Sequence, residues 1–242
     1  MPTNVYYWKK VSMRASQAWP GISVAAVLAG CLVLVGSFPA RAADSATVTF
    51  TLDFPGSDPD HYSISVQSDG HAHYECSARI SSESEDHEDY QADFTLTDAT
   101  RARIFDLAAR SGYFAGKIDS GNRKLAFTGA KKLAYKDDQR NFAAQYNLSS
   151  KPAVQELTAL FQSLSTTLDY GRRLAFYHRY QKLGLDDELK RMEDEVRHGD
   201  LSELQALKPV LQAIFDDPSV INVVRARAQR IMEMSQGPSA GH

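Results

Sequence analysis

Between Thr47 and Leu96, apolar and polar residues alternate with a period of two, which is typical of β-strands with one buried face. The apolar positions fall into three groups: Val48, Phe50, Leu52 and Phe54; Tyr62, Ile64 and Val66; and Tyr74, Cys76 and Ala78. A further strand candidate follows an acidic stretch at residues 81–89 and ends at Leu96. The pattern therefore predicts four strands of a sheet.

The second and third strands are predicted to form a hairpin. Residues 68–70, Ser-Asp-Gly, indicate a three-residue loop with Gly70 in the left-handed conformation. That loop places the opposed apolar residues on one face: Val66 with Ala72, Ile64 with Tyr74, and Tyr62 with Cys76. A slip of one residue would bury a glutamate or a histidine, so the hydrophobic pattern supports this register.

Helical patterns follow the first four strands. Thr97 is predicted to cap a helix that ends at Gly112, and residues 113–130 are expected to be mostly irregular. Residues 133–148 predict a second hairpin. Apolar residues at helical spacing then predict an amphipathic helix that covers the sheet, at Val154, Leu157, Phe161, Leu164 and Leu168.

From Asp169 onwards every pattern is helical. One helix is expected from Leu174 to Leu183 and a second with Asp186 as its cap. A third is expected after a capping-box-like pair, Asp200 and Glu203, with a kink or split at Pro209, and a last one opening at residues 217–218.

The predicted fold class is α+β. An antiparallel β-sheet domain with two covering helices occupies residues 44–168, and an all-helical C-terminal module occupies residues 169–234. Residues 235–242 are expected to be a disordered tail. Because residues 169–171 offer almost no linker, we expect the helical module to pack on the closing helix of the sheet domain.

Residues 1–43 predict a bacterial signal peptide. They contain four basic residues, no acidic residue, a 14-residue apolar run from Ile22 to Val35, and an Ala-Arg-Ala site at residues 40–42. The apolar run is shorter than the roughly 20 residues that span a bilayer. We therefore expect cleavage after Ala42 or Ala43, no membrane span, and a periplasmic or secreted protein.

A lipid anchor is the alternative. Residues 28–31, Leu-Ala-Gly-Cys, resemble the lipobox of bacterial lipoproteins, which would place a lipid on Cys31 and hold the protein at the envelope. In that case cleavage would precede Cys31.

The predicted mature chain is acidic and has one cysteine. Residues 1–43 hold four of the 27 Lys and Arg and none of the 30 Asp and Glu, which leaves 23 against 30 and a formal charge of −7. Nucleic acid is therefore not an expected partner. Cys76 remains alone, so no intrachain disulfide is expected, and its strand position directs it into the core.

The order of these elements resembles an uncharacterised family, a domain of unknown function, of small exported bacterial α+β domains. The residues that carry the resemblance are 62–66 with Asp69 and Gly70, the helix start at 96–98, and Gly-Tyr-Phe at 112–114. It covers about residues 46–168 and implies no known activity. Residues 55–59 stand where many such domains have a Cys-containing loop, and the helical module lies outside the resemblance.

A candidate metal-binding constellation lies on the predicted sheet. His71 and His73 share one face of a strand, a geometry that holds zinc or copper when further ligands arrive. The other candidate ligands are His61, His87 and the carboxylates of the acidic stretch, Glu83, Glu85, Asp86, Glu88 and Asp89. The alternative is an exposed polar strand face with no bound metal.

No catalytic motif is found. The chain has no Gly-x-Ser-x-Gly, HExxH or phosphate-loop sequence. Aromatic and cationic residues, which dominate binding hot spots, are concentrated in one helix at Tyr170, Arg172, Arg173, Tyr177, Arg179 and Tyr180.

Three hypotheses follow. The first is an exported, non-enzymatic binding or protein-interaction protein whose partner is an envelope protein or a small ligand. The second is a periplasmic metal-binding domain, and the third is a hydrolase with an unrecognised site, which would need a pocket with converging polar groups.

Overall fold

A computed structural model describes residues 45–79, 86–122 and 124–235. Four strands come first, β1 Thr47–Asp53, β2 His61–Gln67, β3 His71–Arg79 and β4 His87–Thr95, followed by helix α1 Asp98–Arg110. Strands β5 Ala130–Lys136 and β6 Asn141–Tyr146 complete the sheet. The remaining helices are α2 Pro152–Tyr180, α3 Leu185–His198, α4 Lys208–Asp216 and α5 Asn222–Met234, with 3₁₀ turns at Lys182–Gly184 and Leu204–Leu207. The fold is α+β.

The sheet is antiparallel, with strand order β4-β3-β2-β1-β5-β6. The expected hairpin register is confirmed, because Val66 pairs with Ala72, Ile64 with Tyr74 and Tyr62 with Cys76. Gly70 has the expected positive φ of 95°. One face of the sheet is covered by α2, where Phe161 stacks on Phe50 with ring centroids 5.3 Å apart.

Helix α1 has the predicted cap and an unpredicted one. The Thr97 hydroxyl accepts a hydrogen bond from the Thr100 amide. The Glu203 carboxylate also accepts from the Thr97 amide and from the Thr97 hydroxyl, both at 2.7 Å. The expectation that Glu203 caps its own helix is therefore wrong, because its side chain caps α1, about a hundred residues earlier in the chain.

A single 29-residue helix, α2, stands where the pattern predicts two. The break expected near Asp169 does not occur, and Gly171 lies inside the helix. This glycine allows Leu207 to pack closely against the helix backbone. A Cβ atom at Gly171 would lie 2.6 Å from Cδ2 of Leu207. Buried apolar residues nevertheless form two clusters, one ending at Leu168 and the other beginning at Tyr170. One helix thus contributes to two cores.

Two other predicted helix starts are wrong by a few residues. Asp186 lies in the first turn of α3, and Gly184 is the residue before the helix. Asp217 precedes α5 by a turn and accepts hydrogen bonds from the amide and the hydroxyl of Ser219. Pro209 does split its segment, since the 3₁₀ turn precedes it and α4 begins beside it.

The predicted signal peptide, the lipobox at Cys31 and the tail from residue 236 lie outside the described residues. Within the described ranges, every helix is too short or too polar to cross a bilayer.

Candidate functional site

The histidines proposed as metal ligands are spread along the outer face of the sheet. His61 Nδ1 lies 2.5 Å from an Asp53 carboxylate oxygen, and His73 Nδ1 lies 2.7 Å from one of Asp93. His71 and His87 are exposed at strand starts.

Strand geometry keeps His61 and His73, the two histidines that pair with aspartates, far apart. Ser77, the cross-strand partner of His61, lies four residues after His73, which is roughly 13 Å along an extended strand. In the described part of the chain, no three His, Cys, Asp or Glu side chains come together as a metal site. Glu83 and Glu85 of the acidic stretch fall outside it, and Glu88 and Asp89 are exposed on β4.

The aromatic and cationic segment of α2 is largely interior. Tyr170, Arg172 and Tyr177 are buried, Arg173 is half-buried, and Arg179 and Tyr180 are exposed. The Tyr170 hydroxyl donates to Glu195 at 2.7 Å, and burial raises the pKa of this phenol. Most of the segment therefore packs within the fold.

Two arginines of this segment bind a buried carboxylate. Arg172 Nε donates to Asp169 at 2.9 Å, and its Nη1 donates to the Arg79 carbonyl at the end of β3. Arg173 also pairs with Asp169, and its Nε donates to Glu188 on α3 at 2.6 Å. These bonds fasten α2 to β3 on one side and to α3 on the other.

The exposed part of the segment lies at the far end of α2. Tyr180 is 63% exposed and Leu183 is 95% exposed, beside a cavity of about 520 Å³. Lys182 Nζ donates to Asp217 at 2.6 Å, which holds the turn before α5 against this end and lowers the pKa of the Asp217 carboxyl.

Two adjacent cavities lie along the other half of α2, and we call them together the α2 groove. They have volumes of about 350 and 390 Å³ and share the lining residues Thr128 and Gln162. Both volumes fall in the range of small-ligand sites. The helix contributes Gln155, Ala159, Gln162 and Thr166, an exposed row of small or polar side chains.

The 350 Å³ cavity, called the lysine cavity below, contains Lys131. The strand alternation of β5 puts Lys131 on the core face with Leu133 and Tyr135, and it is only 4% exposed. Its Nζ donates to Thr128 Oγ1 at 2.8 Å and to the carbonyls of Thr128 and Asn147 at 2.7 and 3.1 Å. Burial lowers the pKa of this ammonium group.

Tyr146 borders the same cavity on the neighbouring strand. Its hydroxyl lies 2.5 Å from Thr158 Oγ1, which itself donates to the Val154 carbonyl, so the phenol is the donor. Burial raises the pKa of Tyr146 to about 12. The phenol is therefore a fixed, protonated group at neutral pH.

The 390 Å³ cavity is lined by apolar side chains of β1 and β2 and by paired charges. Asp58 accepts from the Arg79 amide at 3.0 Å, and Asp169 is held by Arg172 and Arg173. Asp58 also pairs with the Arg79 guanidinium at 3.4 Å, so both carboxylates have arginine partners. Cys76 is buried at 4% exposure, as its strand position predicts, and burial raises the pKa of its thiol.

The sequence patterns did not point to the groove. Residues 155–166 look like the polar side of an ordinary amphipathic helix, and Lys131 looks like one of several lysines before a strand. One signal was present, since Lys131 has the same parity as Leu133 and Tyr135 and therefore faces the core.

Two comparisons with known proteins gave no match. No family model matches the chain, and no curated protein matches it. The functional argument therefore depends on the residues and cavities described above.

Proposed function

We propose that this chain is an exported, non-enzymatic binding protein whose α2 groove takes a small amphipathic ligand. The observation that carries the proposal is the pair of adjacent cavities, about 350 and 390 Å³, beside the exposed row of α2. Exposed apolar side chains near the groove, Leu148 and Phe127, favour a ligand with an apolar part. The basic, apolar and small-residue order of residues 1–43 supports export.

The groups around the groove favour binding over catalysis. A nucleophile or a general base needs a reactive protonation state and a free side chain. Asp58 and Asp169 are paired with arginines, and the pKa of Tyr146 is raised. The pKa of Lys131 is lowered, but short contacts to neutral oxygens occupy the hydrogens of its ammonium group. The proposal accordingly includes no catalytic residue and no cofactor.

A matched pair of variants tests the groove. Ala159 lies in the lysine cavity and Ala175 lies outside the cavities described above, yet both are exposed on α2. Titration with Nile red, a neutral dye that fluoresces in apolar surroundings, should show saturable binding to the mature protein. We expect Ala159→Phe to weaken that binding by about tenfold, or about 1.4 kcal/mol, and Ala175→Phe to leave it unchanged. Equal binding by both variants, or no saturable binding by the unmodified chain, would contradict the proposal.

Docking of an envelope protein at the far end of α2 is a second candidate. Its support is the exposure of Leu183 at 95% together with Tyr180 and Arg179, residue types that contribute to interfaces. A photoreactive benzoylphenylalanine at position 183 should then yield a discrete crosslinked species in the producing cell. The same residue at position 190, which is exposed on α3, serves as the control.

A further inference from the structure

Lys131 is a buried cation whose partners are all neutral. Its ammonium group contacts the Thr128 hydroxyl and three carbonyl oxygens, the longest contact being 3.4 Å to Gly129. Burial of a charge is unfavourable unless an opposite charge or strong hydrogen bonds compensate for it. Three short contacts to neutral oxygens satisfy the hydrogens but leave the charge without a counter-ion.

Most other buried charges of the described residues have a charged partner, whereas Glu203, like Lys131, bonds only to neutral groups. Asp169 pairs with Arg172 and Arg173, Glu188 pairs with Arg173 and Arg191, and Glu193 pairs with three arginines, Arg197, Arg227 and Arg230. Among these same residues, no ion pair involves Lys131. Of the two buried charges without an ion-pair partner among these residues, Lys131 lines the lysine cavity, whereas Glu203 serves as a cap of α1.

The lysine cavity has room and apolar surface for a ligand beside that charge. Leu148, Ala159 and the Tyr146 ring supply apolar surface, while Gln155 and Gln162 lie on the helix side. Asn147 positions the neighbouring loop, since its Oδ1 accepts from the Thr128 amide at 2.9 Å and its Nδ2 donates to the Ala126 carbonyl at 2.9 Å. The site thus combines one cation with an apolar wall.

We propose that the lysine cavity binds an organic monocarboxylate, with the carboxylate paired to the Lys131 ammonium and the apolar chain along Leu148 and Ala159. This inference deepens the proposed function and depends on it. The carboxylate takes the place of the 3.1 Å contact to the Asn147 carbonyl, the longest of the three short contacts, and no covalent bond forms.

A singly charged ligand fits better than a phosphate or another dianion. One ammonium group neutralises one negative charge, so a second would remain buried without a partner. The predicted mature chain also carries a formal charge of −7, which disfavours polyanions in general.

Calorimetric titration of the mature protein with octanoate, 1-octanol and octylammonium tests the charge preference. We expect octanoate to bind with one-to-one stoichiometry and at least about tenfold more tightly than octanol, and octylammonium to bind more weakly than octanol. This comparison uses the unmodified chain, so it does not depend on the folding of a variant.

Two lysine variants then locate the site. Lys131→Met should reduce octanoate affinity to that of octanol, whereas Lys132→Met, at an exposed position on the opposite face of β5, should leave it unchanged. Equal affinity for octanoate and octanol, loss of octanoate binding in Lys132→Met, or no binding of octanoate would overturn the inference. If Nile red still bound the groove in that case, the proposed function would stand without the carboxylate preference.

Discussion

The two halves of helix α2 differ in what surrounds them. Residues 152–168 lie on the sheet, and their outer row, which includes Ala159 and Gln162, is exposed beside the groove. In the second half, Tyr170, Leu174 and Tyr177 are buried among the helices that follow. The segment with residue types favoured in binding hot spots is thus mostly interior, although Arg173 borders the 390 Å³ cavity. The exposed small and polar side chains of the first half form most of the helix side of the groove. Side-chain type indicates what a residue can bind, whereas exposure decides whether it is available.

Burial also explains the charges of the second half. Arginine is suited to buried ion pairs because its planar guanidinium donates several hydrogen bonds in fixed directions. Arg172 and Arg173 together bind Asp169, Glu188 and the Arg79 carbonyl. Their function is to join α2 to β3 and α3.

Substitution at Asp169 should produce the largest difference between the halves. Asp169→Ala leaves the buried Arg172 without its carboxylate and Arg173 with Glu188 alone, and loss of one partner of a buried ion pair costs about 3–5 kcal/mol. Thr166→Ala, an exposed change one turn earlier in α2, should stay within about 0.5 kcal/mol. Urea unfolding of both variants measures the free energies, and similar values would contradict the contrast.

Glu203 should have an intermediate effect, because it connects the second half of the chain to the sheet domain. Glu203→Ala removes the acceptor for the Thr97 amide and hydroxyl. We expect a loss of about 1–2 kcal/mol in the free energy of unfolding, typical of a lost helix cap. Asp98→Ala, in the exposed first turn of α1, is the control and should cost about 0.5 kcal/mol or less. Equal losses would show that Glu203 acts only as a general negative charge near α1.

The helical module should have a distinct acid sensitivity. The hydrogen bond from Arg230 keeps the pKa of the Glu193 carboxyl below its usual range, with Arg197 and Arg227 contributing. A carboxyl with a depressed folded-state pKa stabilises the fold at neutral pH, and this stability is lost as the pH falls through about 4 and below. Glu193→Gln should therefore lower stability at pH 7 and flatten its decrease toward pH 3. Urea midpoints at both pH values measure the slope, and an unchanged slope would argue against the ion-pair cluster.

The smallest effect is expected on the outer face of the sheet. His71→Ala combined with His73→Ala should change the free energy of unfolding by about 0.5 kcal/mol or less, since both positions are at least partly exposed. Thermal unfolding with and without added zinc measures this. A large zinc-dependent stabilisation, abolished by the double variant, would revive the metal hypothesis.

Local features of the fold followed from the sequence, whereas distant contacts did not. The hairpin register and the Thr97 cap depend on residues a few positions apart, so alternation and turn chemistry predict them. The glycine at position 171 suggested a junction between two helices. The structure shows instead that a glycine is needed there because Leu207 approaches the helix closely, and no local sequence pattern predicts that contact. The predicted role of Glu203 was wrong for the same reason, because its partner is Thr97, the distant residue that caps α1. The groove depends on the packing of α2 against three loop segments, before β5, after β6 and between β1 and β2, which periodicity alone does not specify.

Hydrogen exchange measured by mass spectrometry, with and without Nile red, tests most directly which part of the molecule binds a ligand. We expect slower exchange in the segments that line the groove, residues 126–131 and 145–149, and unchanged exchange at residues 178–187. Protection confined to residues 178–187 would place the binding surface at the far end of α2 and would contradict the assignment to the groove.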